Sequence, residues 1–313
     1  MNSSEPFVYY GTSNFSAAIL QGLLDAGLTP SLVISALPKP AGRGLTTSPA
    51  PVTVLAQLHQ LRVLEVQNLK SKDIVEQLAT MAAPFAILAA LGKIIPQSVL
   101  ELYPKGIINV HPSLLPAYRG PSPIQSAIRD GGAETAVSLI LLDAEIDHGP
   151  LLAQATEHIA ATDDAVSLAA KLAHTAVALL LKTLPLYLSG DVQPAPQDHS
   201  RASFTTMVER SDGQADFSLS AETLDRQRRA FTPWPGLWTT WHDKRLKFIN
   251  TSVTKTHRGL IGVVEAQGDN VVIGCGHDGL IVHRLKLEGG RELTATDFVR
   301  GHKDFIGSTL TTP

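Results

Sequence analysis

The sequence predicts an α/β protein: a doubly wound, mostly parallel sheet, followed by a smaller C-terminal β-barrel. Three observations carry this. Short, nearly continuous apolar runs alternate with helical patterns up to about residue 190, as buried strands joined by crossover helices require. A polar, proline-bearing stretch, SGDVQPAPQDHSRAS at 189–203, comes next and has the composition of a linker. Beyond it, short alternating runs broken by QGDN and HDG turns dominate, the pattern of a small barrel or sandwich.

In chain order, FVYYG (7–11), SLVISAL (31–37), RVLEV (62–66), FAILAAL (85–91), GIINVH (106–111) and AVSLILLD (136–143) are the candidate strands. A helix is predicted over 14–27, capped by Asn14 and stopped by Gly27, and another over 71–81 after Ser71. After the turn AEIDHGP the chain resumes as extended LLAQATEHIA. The Ala/Leu-rich stretch 164–183 then reads as a helix, with an acidic start and Lys182 near its end, as the helix dipole favours. SAETLDRQRRAF (220–231) reads as one helix ahead of the barrel. The expected division is an α/β domain over 1–195, a linker over 196–206 and a barrel domain over 207–313. The pattern Gly274-Cys275-Gly276-His277-Asp278-Gly279 imitates a dinucleotide loop, but strand-like LIVHRLKL follows it rather than a helix. Asp278-Gly279 is therefore expected to be a hairpin turn.

The chain has 313 residues, a net charge of −3 and 44% hydrophobic residues, which suits a folded protein of two domains. No apolar run is expected to reach the ~18 residues that suffice to cross a bilayer. MNSSEPFVYYG lacks a basic stretch before an apolar core, so a cytoplasmic location without membrane contact is expected. Cys275 is the only cysteine, which excludes an intrachain disulfide and a multi-cysteine zinc site; its apolar neighbours predict a buried thiol. Acidic residues outnumber basic ones up to residue 200 and the balance reverses beyond it, so a polyanion would be met by the C-terminal part.

Two segments concentrate polar groups where an α/β sheet gathers its ligands. In INVHPSLLPAYRGPSPIQ (108–125) a buried strand delivers Asn109 and His111 at i and i+2, on one face. DAEIDHGP (143–150) turns sharply after the next strand and carries Asp147. If the two turns lie side by side, the trio suits acyl transfer to an amine: amide and imidazolium donate to an oxyanion, and the carboxylate orients the ring and assists proton removal. Each residue also has an ordinary alternative, a capping Asn or a core His. His111, Asp147 and His148 form a conceivable zinc triad, but adjacent Asp147 and His148 would point in different directions.

Together these two segments resemble the signature of the 10-formyltetrahydrofolate-dependent formyltransferases, and the resemblance implies a formyltransferase, Rossmann-like fold with catalytic Asn109, His111 and Asp147 and no metal. It also implies that Ser113, Leu114, Leu115 and Pro116 lie against the folate, and that Leu91, Gly92 and Ile94, in ALGKIIP, line its pterin pocket. The formyl donor, 10-formyltetrahydrofolate, is then a cosubstrate. YYGTSNFSAAIL (9–20), PKPAGRG (38–44) and RRAFTPWPGLWTTW (228–241) are similar to the family members that formylate methionine on charged initiator tRNA. Their likeness implies that substrate and an OB-like barrel; a monomer is expected. Arg43, between Gly42 and Gly44, becomes the expected contact to the tRNA end. Arg229, Lys244, Arg245 and Lys247 become expected backbone contacts, with Arg226 and Arg228 beside them. Trp234, Trp238 and Trp241 are expected to pack the start of the barrel. A formyltransferase acting on a nucleotide-linked amino sugar, or a non-catalytic RNA-binding protein, are the rival readings.

Overall fold

The structure is a computed structural model and describes residues 5–38, 40–41, 46–257 and 259–311. Its first unit is built on strands β1 (Phe7–Gly11), β2 (Leu32–Ala36), β3 (Val63–Val66), β4 (Phe85–Ala89), β5 (Ile107–His111), β6 (Glu134–Leu141) and β7 (Leu151–His158). They form one sheet in the order β3-β2-β1-β4-β5-β6-β7. Pairing is parallel from β3 through β5, and β6 and β7 add on antiparallel. All residues of β1, β2, β4 and β5 are buried, which is why they read as unbroken apolar runs instead of alternating ones.

The helices that cover this sheet explain its sequence punctuation. Helix α1 (Asn14–Asp25) is capped by Ser13, whose hydroxyl accepts from the Ser16 amide; the expected cap, Asn14, is the first helical residue. Gly27 ends the helix at φ +82°, with its amide bonded to the Leu24 carbonyl, a left-handed exit that glycine takes without penalty. Helices α2 (Pro51–Leu58), α3 (Lys72–Ala79) and α4 (Gln97–Leu100) follow, while α5 (Pro123–Arg129) counts from Ile124 onward with the second unit. Helix α6 (Ala165–Ser189) runs past the expected end and carries Pro185 within it. Contrary to the expectation from run length, α6 is long and apolar enough to cross a membrane by length and composition. Leu172, Ala176, Leu180 and Leu184 on it are nonetheless buried against the fold.

The segment expected to be a linker is packed against the first unit. Ser203 and Thr205 exchange backbone hydrogen bonds with Pro116 and Arg119, and the Ala195 amide and carbonyl pair with Leu151.

The second unit carries α7 (Ala221–Ala230), strands β8 (Leu237–Trp241), β9 (Lys244–Thr254), β10 (Val264–Gln267), β11 (Asn270–Gly274), β12 (Gly279–Leu287) and β13 (Glu292–Thr294), and α8 (Ala295–Gly301). The antiparallel order is β8-β9-β12-β11-β10, with β13 on β12. The last described residues bridge the two end strands: Ser308 and Leu310 bond beside β10 to Val264 and Gly262, and the Thr311 carbonyl accepts from Thr239 of β8. β11 and β12 form the hairpin expected around Asp278, whose φ is +66°. Phe217, Leu224, Phe248, Phe298 and Phe305 fill the core of this unit.

Candidate active site

β5 is buried on both faces yet ends in two polar residues on one of them, Asn109 and His111, 6% and 4% exposed. Their presence in an apolar strand needs partners, and Asp147 supplies one for both. Its Oδ1 accepts from Asn109 Nδ2 at 3.1 Å and lies 3.4 Å from His111 Nδ1, while Oδ2 accepts from the Gly120 amide at 2.8 Å. The 3.4 Å contact is longer than an ordinary N–H···O bond. The other ring nitrogen, His111 Nε2, donates to the Tyr118 carbonyl at 3.0 Å.

The turns do not meet simply side by side. β6 runs antiparallel, so Leu141 enters the loop 142–150 level with Ile108, and the loop then brings Asp147 to Asn109 and His111. Two glycines allow it. At Gly149 a Cβ would collide with the Leu141 carbonyl oxygen. At Gly120, φ +108°, a Cβ would stand 2.8 Å from the carbonyl oxygen of Thr205. Asp147 has φ +48°, a region Asp tolerates better than most residues.

Burial by itself raises the Asp147 pKa, but the His111 imidazole, the Gly120 amide and the Arg119 charge outweigh it and hold the carboxyl below its ordinary range. The site thus keeps an ionised carboxylate beside an amide that has a second hydrogen to donate. That combination can stabilise negative charge growing on a carbonyl oxygen and accept a proton from an attacking nitrogen.

Around the trio, the SLLP turn is held from below. Ser138 Oγ donates to the Ser113 carbonyl and accepts from the Leu115 amide, and Gln154 Nε2 donates to Ser138 Oγ and the Leu115 carbonyl. Ser113 and Leu115 are buried, the Ser113 hydroxyl is bonded to the Ala117 carbonyl, Pro116 is half-buried, and Leu114 is exposed. Gly92 stands at φ +70° and Ile94 is exposed. Leu91 departs from the expectation of a pocket-lining side chain: it is packed in the sheet core and its carbonyl accepts from Thr12 Oγ1. Sequence reasoning passes over Ser138, Gln154 and Gln197, because a polar residue on a strand or in a proline-bearing stretch gives no periodic signal.

Of the expected tRNA contacts, Arg43 lies outside the described residues. Arg229 calls for a correction. It is 9% exposed, with Nε on Asp225 Oδ2 and Nη1 on the Asp163 carbonyl, so its charge is enclosed in the fold instead of offered to phosphate. Arg228 is likewise tied to Asp225 and Thr251, and Arg226 to Glu222. Lys244 is exposed, Arg245 stacks 4.6 Å over the Trp238 ring, and Lys247 pairs across strands with Trp238 on one side and Lys286 on the other. Burial, with Lys286 and Arg245 nearby, lowers the Lys247 pKa. Only Trp241 of the three tryptophans is buried, while Trp234 is exposed. Lys286, not anticipated, belongs to the same row.

Comparison with known proteins gives one consistent result. Residues 7–184 match the formyl transferase family model, and residues 207–303 match that of the formyl transferase C-terminal domain. A methionyl-tRNA formyltransferase from Myxococcus xanthus is 38% identical over 302 residues, 96% of this chain and 96% of that one. One from Chloroflexus aurantiacus is 39% identical over 246 residues, 79% of each. Among solved structures, HypX from Aquifex aeolicus in complex with tetrahydrofolic acid shares the fold, with a TM-score of 0.66, 17% identity, and coverage of 99% of this chain and 51% of that one.

Proposed function

We infer the reaction from one premise: the chain belongs to the methionyl-tRNA formyltransferase family. It is an enzyme that transfers the formyl group of 10-formyltetrahydrofolate to the α-amino group of methionine on initiator tRNA, for translation initiation. The observation that carries this is a likeness running through nearly the whole chain, both domains included.

We propose the residue roles as follows. The donor supplies the formyl carbon at which the amine nitrogen attacks; the bond from that carbon to the folate nitrogen breaks, and tetrahydrofolate leaves. Asn109 Nδ2 keeps one hydrogen on Asp147 and directs the other at the formyl oxygen as it gains charge, an interaction worth about 3 kcal/mol in comparable sites. His111, as an imidazolium whose Nε2 stays on the Tyr118 carbonyl, joins it by turning its Nδ1 hydrogen from the long contact to Asp147 to the oxyanion. Asp147 accepts the amine proton, directly or through water, because its carboxyl stays ionised, and returns it to the departing folate nitrogen, so that tetrahydrofolate leaves as a neutral amine. The turn Ser113–Pro116 and the backbone of Leu91, Gly92 and Ile94 would hold the folate; exposed Ile94 and Leu114 offer apolar surface that a flat ring can cover.

For the tRNA, the supporting features are the charge of Arg43 and the row Trp238, Lys247 and Lys286 with Lys244 and Arg245, which suit phosphates and an aromatic contact. Residues 207–303 match a C-terminal domain of the family; we assign 207–313 to tRNA contact and 1–195 to catalysis. The family is one of soluble enzymes, for which we propose a monomer and a cytoplasmic location.

The test offers the protein charged initiator tRNA and, separately, a nucleotide-linked amino sugar, each with 10-formyltetrahydrofolate. Formylmethionyl-tRNA and no formylated sugar is the expected result. Product from the sugar alone would overturn the reading.

A further inference from the structure

Asp147 stands in a left-handed backbone conformation in a loop whose surroundings must hold it there. The restraint comes from a segment that sequence composition marks as a linker. Gln197 is 5% exposed, although Pro196 and Asp198 beside it are exposed. Its Nε2 donates to the Asp147 carbonyl at 2.9 Å and the Gly149 carbonyl at 2.8 Å. Its Oε1 accepts from Arg119 Nε at 3.3 Å and Nη2 at 2.7 Å. The amide has two hydrogens and two lone-pair positions, and all four are matched.

Arg119 completes a closed frame. The residue is 3% exposed, and the other hydrogen-bond partner of its guanidinium among the described residues is His199 Nδ1 at 2.8 Å. The partners are a neutral amide and a ring nitrogen acting as acceptor, so the positive charge is not cancelled at its source and acts on the nearby Asp147 carboxylate. The next residue, Gly120, bonds that carboxylate directly. One buried side chain therefore ties the backbone of the Asp147 loop to the cation that favours Asp147 ionisation.

We propose that Gln197 is a positioning residue for formyl transfer, fixing the Asp147 loop and the Arg119 guanidinium in one buried frame that aims the Asp147 carboxylate at Asn109 and His111. This rests on the reading that Asp147 takes part in the reaction. Gln197 touches no reacting atom; it acts through Asp147.

Two substitutions separate positioning from general support of the fold. Gln197→Glu keeps the acceptors for Arg119 but turns lone pairs toward the two carbonyls it now serves. Gln197→Met keeps the length and removes every hydrogen bond. The groups that face Asp147 are Asn109 and His111 from β5 and the Gly120 amide and Arg119 from the loop after it; its own loop carries the Asp143–His148 pair and Glu145, and His199 stacks on His148. A carboxylate at 197 adds negative charge to that set, so Asp147 binds its proton at higher pH.

The experiment measures kcat, KM for 10-formyltetrahydrofolate and the pH profile of kcat for wild type and both variants, with thermal unfolding as a check on folding. Expected for folded Gln197→Glu are a kcat lower by roughly 10- to 100-fold, since small misplacements of this kind are that costly, an unchanged folate KM and an acid limb moved to higher pH. Gln197→Met is expected to lose kcat with the folate KM kept, and it carries the test if Gln197→Glu does not fold. Wild-type kcat in the folded variants overturns the inference. So does a kcat loss in Gln197→Glu with an unmoved acid limb, or a kcat loss in Gln197→Met accompanied by an equal weakening of the folate KM, either of which marks a merely structural role. A wild-type protein that formylates no charged tRNA overturns the functional reading itself, an outcome distinct from either.

Discussion

At the scale of single residues, the Asp147 carboxylate is the group with the most opposed forces on it. Burial alone favours its neutral form, and His111, the Gly120 amide and Arg119 favour the ion and prevail. A depressed carboxyl pKa contributes stability that is present above the unfolded-state value and is lost as pH falls through the folded-state one. Activity that needs the ion follows the same direction. The kcat profile is therefore expected to stay level on descending through the usual carboxylate range and to drop only below it. A profile already falling at neutral pH for want of a carboxylate would contradict the assignment. Arg229 gives a second prediction. With its guanidinium bonded to Asp225 and the Asp163 carbonyl, Arg229→Ala is expected to cost about 2 kcal/mol of stability, the scale of hydrogen bonds to charged groups. Thermal unfolding should show that loss while tRNA affinity in the folded protein is unchanged.

At the scale of elements, the strands β1, β2, β4 and β5 were legible because burial on both faces leaves unbroken apolar runs. The hairpin around Asp278 was legible from its turn residues. The direction of β6 was not, since an antiparallel strand buried along most of its length has no sequence mark to tell it from a parallel one. The segment 196–206 reads as a linker for a related reason: composition records that Gln197, Ser203 and Thr205 are polar, not whether water or protein satisfies them. The same blindness hides the clamp under the SLLP turn. Ser138→Ala leaves the buried Leu115 amide without its acceptor, a penalty of about 1–3 kcal/mol. It is expected to raise the KM for 10-formyltetrahydrofolate more than it lowers kcat, as steady-state kinetics can read.

At the scale of the whole molecule, the motif residues Asn109, His111 and Asp147 were legible as a set because they stand close to strand ends in a long, specific pattern. Arg119 and Gly120 stand in the same motif, but their pairing with Asp147 and with Gln197 was not legible, because it joins loops distant in the chain that no local pattern links. The positive charge that we assign to tRNA contact was legible in amount but not in position: Arg229 turns inward, while Lys286 joins Lys247 on a shared row. Replacing Lys247 and Lys286 together by Ala is expected to flatten the salt dependence of tRNA binding by about 0.9 for each phosphate that is no longer neutralised, leaving folate binding as it was. An unchanged slope would remove that row from the interface. The central claim, that a carboxylate at 147 enables formyl transfer to charged tRNA, is tested most directly by single-turnover formylation of methionyl initiator tRNA with wild type and Asp147→Asn at saturating 10-formyltetrahydrofolate. The account predicts a rate lower by about 10²- to 10⁴-fold in the variant, the contribution of a positioned acid–base group, with folate affinity retained. Wild-type turnover in a correctly folded Asp147→Asn protein would contradict it.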